Sequence, residues 1–179
     1  MERILIVQAS PRKNGFCAAV AGHLQTLLPS AERVESASLQ VGDCLGCGGC
    51  KGGVCVQRDG MDGLLEQLQS CDKLILLSPV YFSYVPSGLK AVADRLQPLW
   101  ESPSKLPLRK AVMGVCAGSP EEGNGQFCQR FFRIFCNTAG FVPVDFACLY
   151  GTDRWASPDS CEEVAALAQR LAHALGEEV

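Results

Sequence analysis

Lys73-Leu74-Ile75-Leu76-Leu77-Ser78 runs directly into Pro79-Val80-Tyr81-Phe82-Ser83-Tyr84-Val85-Pro86. The first piece has strand length and no polar residue between Leu74 and Leu77. A strand with one wet face alternates apolar and polar side chains. An unbroken run is instead buried on both faces, which marks the centre of a parallel sheet. Pro86 then suits a helix start, because proline lacks the N–H that a first turn leaves unused.

Reading outward, residues 3–8 form a first strand. Residues 16–28 place Val20, Leu24, Leu27 and Leu28 at helical spacing, stopped by Pro29 and Ser30. Residues 33–39 read as a second, less apolar strand. Residues 61–71 read as a helix with Leu64, Leu65 and Leu68 on one face and Asp59 as its cap. The helix after Pro86 buries Leu89, Val92 and Leu96, and Pro98 ends or kinks it. Residues 111–116 are the fourth strand. Phe127, Phe131, Ile134 and Phe135 define a helix closed by Gly140. Residues 142–149 are the fifth strand, and Val164, Leu167, Leu171 and Leu175 mark the last helix.

Strands alternating with helices predict an α/β fold, a doubly wound five-stranded parallel sheet with helices on both faces. The chain reads as one domain over residues 1–179, with a cysteine-rich loop at 43–57. Ligands in this class bind past the carboxyl ends of the strands, where the strand order reverses. For the order 2-1-3-4-5 that point lies between strands one and three.

The chain has 179 residues, of which 47% are hydrophobic and 20% charged, enough for a sizeable core. Its net charge of −3 argues against a nucleic-acid surface. No apolar run approaches a signal-peptide core or a membrane span. The expected location is the cytoplasm, where thiols stay reduced. That makes eleven cysteines notable. Seven of them (Cys17, Cys71, Cys116, Cys128, Cys136, Cys148 and Cys161) are scattered, mostly among apolar neighbours, as small core residues would be.

Two loops meet at the expected switch point. After strand one comes Ala9-Ser10-Pro11-Arg12-Lys13-Asn14-Gly15-Phe16-Cys17, leading into a helix. A hydroxyl, two cations and an amide ahead of a helix N-terminus suit a phosphate. After strand three, Pro79, Val80, Tyr81 and Phe82 form an apolar shelf against which a flat heteroaromatic ring can lie. Together they read as a mononucleotide site. A dinucleotide turn is not favoured, because strand one lacks G-x-G-x-x-G. A third loop, Ala117-Gly118-Ser119-Pro120, suits close backbone approach to the same ligand.

Cys44, Cys47, Cys50 and Cys55 lie in Cys-Leu-Gly-Cys-Gly-Gly-Cys-Lys-Gly-Gly-Val-Cys. Packing asks for no such spacing, whereas a soft metal does. Five glycines give the loop freedom to wrap. The residues leave an iron–sulfur cluster, a structural zinc and no metal all open, with ligand spacing favouring iron.

These motifs in this order, with Leu89-Lys90, Asp94-Arg95 and Asp59-Gly60-Met61, resemble the NADPH-dependent FMN reductase family, most closely its iron–sulfur flavoprotein branch. The resemblance covers residues 1 to about 150. It implies a flavodoxin-like fold and FMN held by Ser10, Arg12, Asn14, Gly15, Phe16, Cys17, Pro79, Val80, Tyr81, Phe82, Ala117 and Gly118. It implies a [4Fe–4S] cluster on Cys44, Cys47, Cys50 and Cys55, and a homodimer or dimer of dimers with FMN near the subunit interface. The family usually reads Gly-Ser-Pro-Arg and later Asn-Thr. Here Ala9 replaces the glycine and Phe16-Cys17 replaces Asn-Thr. A thiol donates poorly to phosphate, so the cradle leans on backbone N–H groups.

The expected function is an FMN-dependent oxidoreductase. It takes electrons from NAD(P)H or a reduced ferredoxin-type carrier and passes them to a small-molecule or protein acceptor. FMN carries the chemistry, so no catalytic acid or base is assigned, and His23 and His173 read as helix-surface residues. The alternatives are a flavodoxin-like electron carrier without its own substrate and a nonredox domain with structural zinc.

Overall fold

The computed structural model describes residues 2–102 and 108–177. Five strands form one parallel sheet: β1 (Ile4–Gln8), β2 (Glu32–Glu35), β3 (Lys73–Pro79), β4 (Arg109–Cys116) and β5 (Phe141–Leu149), in the order β2-β1-β3-β4-β5. The helices are α1 (Phe16–Leu27), α2 (Gly60–Ser70), α3 (Ser87–Asp94), α4 (Gln97–Glu101), α5 (Gln126–Ala139) and α6 (Glu163–Ala174). This is the flavodoxin-like arrangement, and the expected strand order holds.

β3 is central, pairing with β1 at Leu74↔Leu5 and with β4 at Leu74↔Ala111. Its side chains alternate between two cores. Leu74 and Leu76 face Leu64, Leu68, Leu89 and Phe132 of α2, α3 and α5. Ile75 and Leu77 face Val20, Leu24, Leu167 and Leu171 of α1 and α6. All four are at most 1% exposed. Burying each such side chain contributes about 1.5–3 kcal/mol, which is why the run cannot serve as an edge strand. Gly114 lets α6 lie close on β4, since a Cβ there would sit 2.8 Å from Leu171 Cδ1.

Two details differ from the sequence expectation. β2 stops at Glu35 and not at residue 39, because its ladder partner β1 ends at Gln8, opposite Glu35. The chain then turns through Ser36–Ser38. The helix after Pro86 is two pieces. α3 ends at Asp94, and α4 begins at Gln97 with Pro98 in its first turn. Pro98 has no N–H, and its ring excludes the carbonyl four residues back, that of Asp94. The expected fifth strand holds Pro143, which lies within β5 at the register shift beside Ala111. β5 is an edge strand, where a missing donor is tolerated.

At the end of the sheet opposite the candidate site, Arg109 fastens the helix termini. Its Nη1 donates to the carbonyls of Leu68 at 2.8 Å and Cys71 at 2.7 Å, and its Nη2 to Ala139 at 2.9 Å. A cation there meets the negative ends of α2 and α5. Among the described residues no helix is long and apolar enough to cross a membrane.

Candidate functional site

β1 delivers the chain to the switch point with Ala9 N–H still bonded to Leu77 C=O at 2.8 Å. The loop then folds on itself. Arg12 N–H donates to Ser10 Oγ at 3.2 Å, and Gly15 N–H to Arg12 C=O at 3.3 Å. Gly15 is the N-cap of α1 and brings no side-chain cap, so the first turn keeps free N–H donors. Ser10 is buried, and among the described residues its hydroxyl proton meets no acceptor.

Across the switch point, Val80 N–H donates to Cys116 C=O at 2.9 Å, extending the β3–β4 ladder by one bond. Tyr81 and Tyr84 then close a two-residue hairpin with N–H···O bonds of 2.8 and 2.9 Å. Its corner residues, Phe82 and Ser83, have φ of 49° and 59°. Positive φ at two successive non-glycine residues is strained. Ser83 Oγ–H helps hold the turn by donating to Asn124 Oδ1 at 3.0 Å. The ring of Phe82 is fully exposed.

The loops after β4 and β5 are zipped together. Thr152 N–H donates to Ala117 C=O at 2.9 Å, and Gly151 N–H to Ser119 C=O at 2.9 Å. A Cβ at Gly118 would lie 2.4 Å from Asp153 Oδ2, so a side chain there would have to push the exposed Asp153 carboxylate aside.

Together these loops enclose a cavity of about 220 Å³. Of the expected ligand-binding residues, Ser10, Arg12, Gly15, Phe16, Cys17, Pro79, Val80, Tyr81 and Gly118 line it. Three do not. Asn14 faces a neighbouring cavity with Lys13 and Arg33. Phe82 points to solvent, and Ala117 is buried with its backbone spent on Leu149 and Thr152. Cys116, Thr152 and Asp153 line the cavity without having been expected. Thr152 and Asp153 follow the carboxyl end of β5, so the strand-end rule applied to that strand would have found them. Phe16 also packs on Trp155, with ring centroids 6.0 Å apart.

All eleven cysteines are free. Cys71, Cys116, Cys128, Cys136 and Cys161 are buried as expected, Cys17 is buried too, and Cys148 is half-buried. A hydrogen bond with Cys17, together with burial, pushes the Cys116 thiol well up, so it stays protonated at neutral pH. Burial pushes Cys128 and Cys148 up to about 12 and Cys71 to about 11. His23 and His173 are exposed.

The four clustered cysteines line a second cavity, of about 250 Å³. Its floor is the 3-10 turn Gly49–Gly52, and α4 closes one side with Gln97 and Glu101. Gly48 and Gly53, with φ of 72° and 84°, cap the turn at its two ends. A Cβ on Gly49 would lie 2.7 Å from Cγ1 of the exposed Val56, so a side chain there would have to displace Val56 from the loop. Among the described residues no three His, Cys, Asp or Glu side chains gather around one ion-sized point. The donor set is still all thiol around one space, which is the chemistry an iron–sulfur cluster needs. Leu45, Val54 and Val56 on the loop are exposed.

Asp59 joins this loop to the sheet. It caps α2 by accepting from Met61 N–H at 2.9 Å and also accepts from Gly42 N–H at 3.0 Å. Arg95 donates to it from both terminal nitrogens, at 2.8 and 3.3 Å. The Arg95 hydrogen bond, then the Gly42 and Met61 N–H groups, hold the Asp59 carboxyl down to about 2. Gly60 admits no side chain, since a Cβ would be 1.7 Å from Leu39 O.

The model of a family described as NADPH-dependent FMN reductase matches residues 2–153. An iron-sulfur flavoprotein of Archaeoglobus fulgidus is 34% identical over 152 residues, covering 81% of this chain and 67% of that protein. An iron-sulfur flavoprotein of Methanocaldococcus jannaschii is 30% identical over 129 residues, covering 69% of this chain and 65% of that protein. The chain thus spans about two thirds of the length of these relatives. Among solved structures, an NAD(P)H:quinone oxidoreductase from Methanothermobacter marburgensis superposes with a TM-score of 0.74 at 19% identity, covering 99% of this chain and 98% of that one. An azoreductase from Bacillus anthracis gives 0.67 at 17% identity, covering 98% and 100%. Likeness at this identity speaks for the shared fold.

Proposed function

This chain belongs to the NADPH-dependent FMN reductase family of flavin-dependent oxidoreductases, and from that premise we propose how its two cavities divide the work. The cavity at the strand ends holds FMN. Ser10 Oγ–H, the Arg12 guanidinium and the free N–H groups of Phe16 and Cys17 take the phosphate, with Gly15 N–H turned to it once its 3.3 Å bond to Arg12 C=O gives way. Pro79, Val80 and Tyr81 flank the ring from one side and the Gly118 backbone from another. When bound, FMN supplies the two-electron chemistry that links donor to acceptor. The protein orients it and keeps a neutral Cys116 thiol at the cavity wall.

The donor in this reading is NAD(P)H or a reduced ferredoxin-type carrier. The acceptor is a quinone-like small molecule or a protein. Cys44, Cys47, Cys50 and Cys55 hold a [4Fe–4S] cluster, which supplies one-electron transfer. The described chain acts as one FMN-binding unit in a reducing, cytoplasmic compartment, which suits eleven free thiols. Exposed Phe82, Phe127 and Ile134 favour assembly as a homodimer or a dimer of dimers.

The carrying observation is that loops from β1, β3, β4 and β5 converge on one cavity with Ser10 and Arg12 at an uncapped helix start. The test is titration of the protein with FMN, followed by anaerobic reduction with NADPH and with NADH. Tight binding with bleaching of the flavin bands supports the reading. A protein that rejects FMN overturns it. Bound FMN that neither nucleotide reduces shifts the donor to a protein carrier. Iron and sulfide counts after anaerobic reconstitution test the cluster separately.

A further inference from the structure

Among the described residues Arg95 is the largest fully buried side chain, 1% exposed. A guanidinium is rarely buried unless it is paired, and this one is paired to the cysteine loop from both sides. Nη1 donates to Gly42 C=O at 3.1 Å, just before the loop, and to Asp59 Oδ2 at 2.8 Å, just after it. Asp59 in turn accepts from Gly42 N–H at 3.0 Å. The two ends of a sixteen-residue segment, 43–58, are thus closed by one ion pair. Three further side-chain bonds pin that segment internally, Gln57 to Asp43 C=O and Arg58 to the carbonyls of Cys55 and Gln57.

Arg95 also lies near the last of the four thiols: Cys55 is among the groups that, after Asp59, favour the charged guanidinium, and the Arg95 Nε is buried without an acceptor among the described residues. A buried donor left unsatisfied is costly and calls for an explanation. A sulfur-rich centre beside Cys55 would provide acceptors. Hydrogen bonds to ligand sulfur stabilise the added electron on a reduced cluster and so raise its potential.

We propose that Arg95 is the positioning residue of the cysteine cavity: it clamps the ends of the loop and donates toward the Cys55 sulfur, so that it governs both how firmly iron is retained and the potential at which the centre is reduced. This rests on the cluster reading above. Arg95 stands in α3's C-terminal cap, so the helix downstream of the flavin loop is tied directly to the cysteine loop.

The experiment compares wild type with Arg95→Lys, which keeps the charge but loses the planar fork. Both are reconstituted anaerobically with iron and sulfide. Iron release to a chelator is timed, and the midpoint potential is read by EPR-monitored titration. FMN content reports folding. The expected result is iron loss roughly 10-fold or more faster, as for other residues that orient metal ligands, and a lower potential, with FMN retained. Equal release and equal potential in the variant, with iron bound to wild type, overturn the inference and leave the cluster reading standing. A wild type that takes up no iron overturns both. If Arg95→Lys loses FMN, the double variant Arg95→Met, Asp59→Asn replaces the buried pair with neutral groups, a change that is often tolerated. The same outcomes then apply to it.

Discussion

The cavity at the strand ends and the cavity of the cysteine loop are both lined by thiols, yet they hang from different supports. The first is made of short loops that leave buried strands. Each loop is fixed within a few residues of a ladder bond, as at Ala9, Val80 and Ala117. The second belongs to a segment with one 3-10 turn and no strand. What secures it is the Arg95–Asp59 pair and glycine-permitted packing. One site is a property of the sheet; the other is a property of a clasp. Damage to the sheet should therefore reach the flavin first, and damage to the clasp should reach the cysteines first.

The largest expected effect tests the sheet. Leu77 is 1% exposed and lies two residues before the end of the central strand, beneath the flavin loops. Leu77→Ala should cost about 2–5 kcal/mol of global stability, measured by urea denaturation. FMN affinity should weaken with it, while alkylation of the four loop cysteines under native conditions stays near the wild-type rate. Equal acceleration of alkylation would erase the distinction between the two supports.

Next in size is Arg12→Ala. If Arg12 contacts the phosphate, FMN binding should weaken by roughly 1.5–3 kcal/mol, read from flavin fluorescence. Iron uptake by the cysteine loop should not change. An unaltered FMN affinity would remove Arg12 from the site.

The clasp has its own pH signature. Asp59 titrates at about 2 when folded against an ordinary value of 3.8. A depressed carboxyl stabilises the fold fully above its unfolded pKa. That contribution fades as pH falls from about 4 to about 2 and is gone below. Water at the exposed fifth of the Asp59 side chain reduces it to on the order of 1–2 kcal/mol. Acid titration of wild type against Asp59→Asn should show that slope in wild type only. The same slope in both proteins would assign the acid sensitivity elsewhere.

The smallest effect is a control. Arg58 and Asp62 form an exposed i,i+4 pair at 3.4 Å beside the clasp. Asp62→Asn should change stability by no more than about 0.5 kcal/mol. A larger loss would mean that surface charge, and not the buried pair, holds the loop.

The strand-end site was largely legible because its signals are local. A four-residue apolar run locates β3, and the loops that follow β1 and β3 carry Ser10, Arg12 and Pro79 to Tyr81 in plain view. What escaped needs spatial knowledge. Cys116 looks like any core cysteine until Cys17 is seen beside it. Thr152 and Asp153 reach the cavity only because Gly151 turns the chain back onto Ala117. Phe82 reads as part of a shelf, but its positive φ turns the ring outward. In the cysteine loop the four ligand positions are explicit, whereas the clasp is not. Asp59 reads simply as a helix cap, and nothing in the order Lys90 to Arg95 reveals that Arg95 folds under residue 42. Pro98 was read as ending or kinking one helix; the helix in fact breaks before it, because its ring acts on the carbonyl of Asp94.

The chain has two tryptophans; neither lines either cavity, but each adjoins residues that line a different one. Trp155 leans on Phe16 at the flavin loop, under the Arg154 guanidinium at 3.8 Å. Trp100 lies on α4 between Gln97 and Glu101, more than half exposed. Their emission should differ in colour, blue-shifted for the packed ring and red-shifted for the wet one. A bound flavin absorbs in that range and should quench Trp155 more strongly than Trp100. Swapping one tryptophan at a time for phenylalanine would let a single cuvette follow the filling of either cavity without labelling the protein.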